Sequence, residues 1–273
     1  MKKDMARRYG VVGAPVRHSL SPWLHGYFAR TTQRNIVYAA YAPSPDKFAE
    51  FVHEFFAAGG CGLNITVPFK PEALTAASRA SAFARRAGAA NVLRRDENNI
   101  VAHNTDGAGL IKDLSQNLGV SPSKKRVLIV GAGGAARAAA LALVDGGAHI
   151  TIAARRPDAA AGLAELADGE SVALAECESG FDIIINATSG AHDGDESPLP
   201  PHVFEGALLA YDMNYGRAAA AFLRAGRAAK QRADGGGMLA EQAAMSFAVW
   251  EKVMPSAAVP IDMMRRRHDS FWQ

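Results

Sequence analysis

Polar side chains follow several strand-like segments in the first part of the chain. Asn64, Thr66 and Lys70 belong to the segment NITVPFK, and Asp106 belongs to HNTDG. In open α/β sheets the ends of the strands face the crevice in which ligands bind, so we expect these groups to share one site. Together they suit a small molecule that carries several hydroxyls and a carboxylate. Taken singly, a solvated Lys70 and an Asp106 that caps a helix remain simpler explanations.

The segment HSLSP offers a place for the carboxylate of such a molecule. Ser19 and Ser21 stand where a helix is predicted to begin, and free backbone N–H groups at a helix start bind small anions. The alternative is that Ser21 only caps the helix. Asn91 ends another strand-like segment, and helical periodicity predicts that Gln242 or its neighbour Glu241 faces inward from the last long helix.

A dinucleotide-binding turn is predicted in the middle of the chain. The strand-like run RVLIV leads directly into GAGGAA, Gly131–Ala136, which opens a helix-like run. The first glycine permits a tight bend, the second lets the backbone approach the pyrophosphate, and Ala136 allows close packing of helix and strand. The pyrophosphate would lie on the free N–H groups of the helix. A plain strand–turn–helix unit is the alternative. Because this turn usually stands first, we expect a separate domain before it.

The residues after the next strand favour NADP over NAD. An NAD-selective site would place an acidic residue there to bind the ribose hydroxyls, but the chain has Arg155 and Arg156. A guanidinium can bind a 2′-phosphate through two parallel hydrogen bonds, whereas an acid would repel it. A solvated arginine pair is the alternative interpretation.

The composition is that of an ordinary globular protein, and 273 residues suffice for two modest domains. The 30 basic and 27 acidic residues leave a net charge of +3, which is too balanced to suggest a nucleic-acid binder. Two cysteines argue against a disulfide framework and fit a reducing cytoplasm. No apolar run approaches the roughly 18 residues of a membrane helix. We therefore expect a soluble cytoplasmic protein without a metal site.

Strand and helix signals alternate along the chain. Strands separated by helix-length segments predict an α/β fold, with a doubly wound parallel sheet around the glycine turn. A stripe of phenylalanines after Ser44-Pro45 predicts a core helix that ends at Gly59-Gly60. The last long helix, Met238–Trp250, is expected to return to the first domain. The predicted strands are Tyr9–Val12, Asn35–Tyr41, Cys61–Val67, Ile100–His103, Arg126–Val130, Ile150–Ala153, Ser171–Leu174, Asp182–Asn186 and Ala207–Asp212.

The motifs of the chain resemble those of the shikimate dehydrogenase family. HSLSP, NITVPFK, AAN, NTDG, GAGGAA, INATS, DMNY, DGGGML and EQAA occur in the family's order, over nearly the whole chain. The resemblance implies reversible, NADPH-dependent reduction of 3-dehydroshikimate to shikimate in aromatic amino-acid biosynthesis. It also implies an N-terminal α/β substrate domain, residues 1–106 completed by the C-terminal helices 238–273, and a Rossmann-like NADP domain, residues 107–237.

The same resemblance implies roles for individual residues. Lys70 and Asp106 match the catalytic pair, and the two serines of HSLSP match the residues that hold the carboxylate. The expected substrate contacts are Ser19, Ser21, Thr66, Asn91, Tyr215 and Gln242. The expected cofactor contacts are Gly131, Ala132, Gly133, Gly134, Ala135, Arg155, Arg156, Met213 and Gly237.

The chain departs from the family pattern beside the cofactor. The usual Asn-Arg-Thr after the second nucleotide strand reads Ala154-Arg155-Arg156, and a later arginine is replaced by Ala159. Two other functions remain open, a quinate/shikimate dehydrogenase with relaxed cofactor use and a non-catalytic NADP-sensing regulatory module. The expected partners are small molecules, without nucleic acid or membrane, and the expected assembly is a monomer or homodimer.

Overall fold

The computed structural model of the chain describes residues 5–188 and 196–268. The chain forms two compact units. The first contains the chain up to Thr105 together with Gln242–Ala257, and the second contains Asp106–Glu241 together with the chain from Ala258. Among the described residues, no helix is long and apolar enough to cross a membrane.

The first unit is built on a mixed sheet of six strands. The strands are β1 (Arg7–Val12), β2 (Ile36–Tyr41), β3 (Gly62–Ile65), β4 (Arg79–Ala80), β5 (Val92–Asp96) and β6 (Asn99–His103). Their order is β2-β1-β3-β5-β6-β4. Strand β5 is antiparallel to both of its neighbours, β3 and β6, whereas β1 pairs in parallel with β2 and β3. The helices of this unit are α1 (Ser21–Thr31), α2 (Phe48–Ala57), α3 (Lys70–Thr75) and α4 (Ala82–Ala87).

Helix α2 carries the phenylalanine stripe, and the structure confirms that the stripe is core. Phe48, Phe55 and Phe56 are buried against the β3 residues Leu63 and Ile65. The spacing puts these rings on one face of the helix, which is what a helix packed on a sheet requires. The helix ends where the sequence predicts, because Gly59 has φ = +89°, a left-handed conformation that glycine adopts without strain.

The start of α1 differs from the prediction that Ser21 is its cap. Ser21 is the first helical residue, and Leu20 precedes the helix. The Ser19 hydroxyl oxygen accepts the backbone N–H of Ser21 at 3.2 Å. The capping prediction was therefore wrong, because Leu20, whose apolar side chain cannot accept a hydrogen bond, occupies the cap position.

The second unit contains a six-stranded sheet that is parallel throughout. Its strands are β7 (Arg126–Val130), β8 (His149–Ala154), β9 (Glu170–Ala173), β10 (Ile183–Asn186), β11 (Leu209–Asp212) and β12 (Gln231–Asp234). Their order is β12-β11-β10-β7-β8-β9, the order of a doubly wound dinucleotide-binding sheet. In β7, Val127 and Ile129 pack into one apolar cluster and Leu128 and Val130 into another. Both faces of the strand are thus covered, which explains its uninterrupted apolar run.

The helices of the second unit cover this sheet. They are α5 (Asp106–Lys112), which continues as a π-helical turn (Asp113–Asn117), α6 (Gly134–Asp145), α7 (Pro157–Leu166), α8 (Ala220–Ala225), the start of α9 (Gly236–Glu251), and α10 (Ala258–His268).

The division at the C-terminus differs from the expected one, in which residues 238–273 complete the first domain. Helix α9 passes from the second unit to the first at Gln242, but α10 belongs to the second unit. Two polar contacts account for this placement. His268 Nδ1 lies 2.8 Å from Asp234 Oδ2, and Arg265 Nη2 lies 3.4 Å from Asp113 Oδ1.

His25 on α1 is a fully buried histidine in the first unit. Its ring stacks on Tyr38 of β2 with 4.2 Å between centroids, and Phe247 and Trp250 of α9 lie close to it. Burial lowers the pKa of His25 from its usual 6.5 to about 3. The residue is therefore a neutral aromatic component of the core at ordinary pH.

We predict that acid destabilises the protein through His25. The unfolded chain takes up a proton near pH 6.5 that the folded chain rejects, so this contribution to stability is present above pH 6.5 and lost as the pH falls towards 3. The loss between pH 7 and pH 5 is about 2 kcal/mol. Urea unfolding at both pH values measures it, and His25→Phe should reduce the difference by that amount.

The exposed His53 on α2 provides the matched control for this measurement. The His53→Gln variant should keep the pH dependence of the parent protein. A His25→Phe variant that loses as much stability as the parent between pH 7 and pH 5 would contradict the assignment.

Candidate active site

Asn91 is the centre of a buried hydrogen-bond network in the first unit. The prediction that it ends a strand was wrong, because the strand begins only at Val92 and Asn91 lies directly before it. Its Nδ2 donates to Thr105 Oγ1 at 2.9 Å and to Gln242 Oε1 at 3.1 Å. Its Oδ1 accepts the backbone N–H of Thr105 at 2.8 Å. Asn91 is 2% exposed and Gln242 is 8% exposed. The structure thus brings two of the predicted substrate contacts into direct contact.

Asn64 and Ser246 extend the network across the unit. Asn64 Nδ2 donates to Ser246 Oγ at 2.9 Å and to the carbonyl oxygen of Asn91 at 3.2 Å. The Tyr38 hydroxyl donates to Asn64 Oδ1 at 2.8 Å. Ser21, a third predicted substrate contact, is buried at the start of α1.

The network fixes the orientation of its side chains. Burial raises the pKa of Tyr38 well above its usual value of 10, so the phenol keeps its proton and donates it to Asn64. Buried polar groups are expensive to leave unpaired, and each member of a satisfied network holds the next. The result is a rigid arrangement of amides and hydroxyls before any ligand arrives.

The remaining predicted residues of the first unit flank this network. Ser19 is half-buried just before α1, and Thr66 is half-buried just after β3. Lys70 is the half-buried first residue of α3, and its carbonyl oxygen accepts the N–H of Ala90 at 2.8 Å. Because Ala90 precedes Asn91, the start of α3 lies next to the centre of the network.

Asp106 follows Thr105 in the chain and is the first residue of α5. It is 4% exposed. Thr105, directly before Asp106, is hydrogen-bonded to Asn91, and the carbonyl oxygen of Lys70 accepts the N–H of Ala90. Because Ala90 and Asn91 are consecutive, the backbone of Lys70 lies near the backbone that leads into Asp106. A pairing of the Lys70 ammonium with the Asp106 carboxylate remains a prediction.

The glycine turn of the second unit has the backbone that a pyrophosphate requires. Gly131 has φ = +115°, and a side chain there would lie only 3.0 Å from the carbonyl oxygen of Ala187. Gly133 is extended and exposed, and a side chain there would point into open space. Ala136 is fully buried in the apolar core. The position of Gly133 leaves the backbone accessible to a ligand.

Helix α6 begins at Gly134, directly after the turn. Gly133 precedes it and has no side chain that could occupy the first free N–H groups, which remain able to bind an anion. Gly134, Ala132 and Ala135 are half-buried. The residues present therefore fit the pyrophosphate of a dinucleotide.

Arg155 and Arg156 are exposed and follow directly after β8, which pairs with β7. Both therefore lie at the carboxyl end of the sheet, where the glycine turn follows β7. Arg156 immediately precedes α7, which begins with Pro157. The two guanidinium groups supply the positive charge that a 2′-phosphate would need at this end of the sheet.

The loop after β11 is held by a buried carboxylate. Asp212 accepts hydrogen bonds at 2.8 Å from Asn186 Nδ2, from the backbone N–H of Asn214 and from Asn214 Nδ2. Burial raises the pKa of Asp212 to about 7. The backbone N–H of Met213 donates to the carbonyl oxygen of Asn186 at 2.9 Å. Met213, a predicted cofactor contact, therefore lies beside the end of β10 (Ser189, the last residue of INATS, lies outside the described residues).

Tyr215 and Gly237 occupy different surroundings in the second unit. The Tyr215 ring lies nearly parallel to that of His268, with 6.0 Å between centroids. Gly237 is buried in α9, where a side chain would overlap the carboxylate of Asp113. Packing against Asp113 is thus sufficient to explain this glycine, and its contact with a cofactor remains a prediction.

Three members of the network were not named by the sequence reasoning, namely Tyr38, Thr105 and Ser246. Ser246 follows Gln242 by four residues, so helical spacing puts both on one face of α9, and this signal was available. Thr105 stands within the quoted motif NTDG. Tyr38 has no local signal, because its partner Asn64 is distant in sequence.

Comparisons with known proteins extend the resemblance to the whole chain. A family model for the shikimate dehydrogenase substrate binding domain matches residues 11–93. A second model, for shikimate/quinate 5-dehydrogenase, matches residues 113–193. The chain is 43% identical over 273 residues to a relative from Aromatoleum aromaticum named shikimate dehydrogenase (NADP(+)), an alignment that covers 96% of this chain and 98% of the relative.

Solved structures have the same fold. An Ael1 enzyme from Pseudomonas putida has a TM-score of 0.87 and 40% identity, with 95% of this chain and 98% of that chain covered. The shikimate 5-dehydrogenase of Thermus thermophilus, in complex with NADP(H) and shikimate, has a TM-score of 0.87 and 32% identity, with 96% and 99% covered. On this similarity, together with the two family models, the chain belongs to the shikimate dehydrogenase family.

Proposed function

We propose that the chain catalyses the reversible, NADPH-dependent reduction of 3-dehydroshikimate to shikimate, a step in aromatic amino-acid biosynthesis. The relative from Aromatoleum aromaticum bears the name of this enzyme with NADP(+), and the similar Thermus thermophilus structure holds NADP(H) and shikimate. The observation that carries the proposal is the buried network that joins Asn64, Asn91 and Gln242. It supplies oriented donors and acceptors for a molecule with several hydroxyls and a carboxylate.

Each unit has its own task in this proposal. The first binds the substrate, and the family model that matches residues 11–93 is named for substrate binding. The second binds NADP through Gly131–Ala135, with Arg155 and Arg156 on the 2′-phosphate and with Met213 and Gly237 as further contacts. Ser19 and Ser21 hold the substrate carboxylate, while Thr66, Asn91, Tyr215 and Gln242 bind the rest of the molecule.

The catalytic step requires a proton at the carbonyl oxygen of the substrate. NADPH held by Gly131–Ala135 would supply a hydride for the carbonyl carbon, and negative charge would then develop on that oxygen. In the proposal Lys70 donates the proton and, in the reverse direction, removes it from the hydroxyl. Asp106 accepts a hydrogen bond from the lysine and one from a substrate hydroxyl, which orients both. A positioned acid or base of this kind contributes about 10²–10⁴ in rate.

A single assay separates this function from its alternatives. Oxidation of shikimate by NADP+ raises the near-ultraviolet absorbance of the reduced cofactor. Shikimate with NADP+ should give turnover, while NAD+ should give much less, because the site after β8 offers arginines and no acid for the ribose hydroxyls. Comparable turnover with quinate and with NAD+ would instead favour the quinate/shikimate dehydrogenase. A non-catalytic NADP-sensing module would bind the cofactor without turnover and would have no use for Lys70 and Asp106.

We also propose that the enzyme is cytoplasmic and is a monomer or homodimer.

We predict that Lys70→Met lowers kcat by about 10²–10⁴ because the proton donor is lost. The Michaelis constant for shikimate should stay within a few-fold of the parent value. Steady-state kinetics measure both quantities. Lys112→Met is the matched control, because Lys112 is paired with Glu241 at 2.7 Å and has no part in the proposed chemistry. Turnover that survives in Lys70→Met would refute its role.

A comparable loss of kcat, about 10²–10⁴, is expected for Asp106→Asn, because the amide no longer attracts the lysine ammonium. The matched control is Glu251→Gln, which alters a buried carboxylate bound by Tyr9 and Arg7. This control should lower the melting temperature and spare kcat. If Asp106→Asn behaves in the same way, Asp106 is structural.

For the cofactor, we predict that Arg155→Ala or Arg156→Ala raises the Michaelis constant for NADPH about 10- to 100-fold, since a hydrogen bond between charged groups contributes about 1.5–3 kcal/mol. The constant for NADH should not change, because NADH lacks the 2′-phosphate. Each variant is the control for the other, and kinetics with both cofactors identify the arginine that binds the phosphate. An unchanged Michaelis constant for NADPH in both variants would mean that neither arginine binds the 2′-phosphate.

A further inference from the structure

We infer that Ser246 is a positioning residue for the substrate. Its buried hydroxyl ties α9 to Asn64 and Thr105, and through them it sets the orientation of Asn91 and Gln242. The inference rests on the proposed function for its kinetic consequence, but the coupling itself is a property of the protein without ligand. Ser246 belongs to no motif from which a functional residue was predicted.

The Ser246 hydroxyl lies among three partners and is fully buried. Its oxygen is 2.8 Å from the carbonyl oxygen of Gln242, to which it donates. It accepts a hydrogen bond from Asn64 Nδ2 at 2.9 Å and lies 3.3 Å from Thr105 Oγ1. A hydroxyl has one proton and two lone pairs, so these three contacts use its full capacity.

A simpler interpretation is that Ser246 is an ordinary helical serine. Serines in helices commonly donate to the carbonyl four residues earlier, as Ser246 does to Gln242. That bond alone would be structural. The other two contacts are different, because they reach side chains at the end of β3 and directly before α5. One hydroxyl thus joins three chain segments, each of which carries or adjoins a predicted site residue.

The network shows what loss of this hydroxyl would do. Asn64 Nδ2 has two protons, one for Ser246 and one for the carbonyl oxygen of Asn91. Without Ser246 Oγ one of these protons loses its acceptor in a buried place, and the Asn64 amide is held only by Tyr38 and by the carbonyl oxygen of Asn91. The hydroxyl of Thr105 loses one neighbour on α9 and keeps the carbonyl oxygen of Gln242 at 3.2 Å. The contacts of the Ser246 hydroxyl are with Asn64, Thr105 and Gln242, which belong to the binding network, so binding should suffer more than chemistry.

The test compares Ser246→Ala with Ser246→Thr and Tyr9→Phe. Ser246→Ala should raise the Michaelis constant for shikimate about tenfold, as expected when one partner of a buried hydrogen bond is removed. Its kcat and its Michaelis constant for NADP+ should stay within twofold. Ser246→Thr keeps a hydroxyl that can bond the same carbonyl in a helix, and it should restore most of the affinity for shikimate.

Tyr9→Phe is the structural control, because it deletes another buried hydroxyl that is bonded to α9 in the same unit. The Tyr9 hydroxyl donates to Glu251 Oε1 at 2.6 Å, outside the network around Asn91. This variant should lower the melting temperature without changing the Michaelis constant for shikimate. All kinetics are measured well below the lowest melting temperature of the set.

Amide hydrogen exchange of the ligand-free proteins tests the coupling independently of activity. Ser246→Ala should speed exchange in peptides that contain Asn64, Asn91 and Thr105, whereas Tyr9→Phe should not. If these peptides are unchanged in Ser246→Ala, or if its Michaelis constant for shikimate matches that of Tyr9→Phe, the inference is overturned. A parent protein that does not oxidise shikimate would instead refute the proposed function, and hydrogen exchange would still decide the role of Ser246.

Discussion

The requirement that buried amides be hydrogen-bonded is the constraint on which the candidate substrate site depends. Asn91 has both of its Nδ2 protons and its Oδ1 engaged, with Thr105 and Gln242 as partners. Because an unpaired polar atom in this setting is costly, the residues around Asn91 have few alternative arrangements. The end of β3, the segment before α5 and the second half of α9 are thereby held together. This rigidity is what a site needs if it is to recognise hydroxyl positions on a small ring.

A comparable constraint acts in the second unit at the carboxyl ends of β7, β10 and β11. The left-handed Gly131 lets the turn pass close to Ala187, and Asp212 binds Asn186 and Asn214 at the ends of the next two strands. These contacts join the loops at the point where the strand order reverses, which is where doubly wound sheets bind nucleotides. The high pKa of Asp212 follows from the same burial. Each unit thus uses satisfied buried polar groups to shape its loops.

Local patterns predicted most of the fold, and long-range pairings account for what they missed. The apolar run of β7 and the phenylalanine face of α2 are patterns within one short segment each. Their periodicity and composition were therefore sufficient to predict both elements. Strand β12, Gln231–Asp234, is polar and lies at the edge of the sheet, which leaves it without an apolar signature. Helix α10 is placed by contacts with distant Asp234 and Asp113. The site residues came from motifs, whereas Tyr38 is joined to Asn64 only by the folded chain.

The most direct test of this account is a crystal structure of the protein with shikimate and NADP+ bound. The account predicts that the hydrogen bonds of Asn91 with Thr105 and Gln242 persist, and that Lys70 Nζ and the Asp106 carboxylate both lie within hydrogen-bond distance of shikimate hydroxyls. Shikimate bound away from this network, or a lysine and aspartate that contact no reacting group, would contradict it.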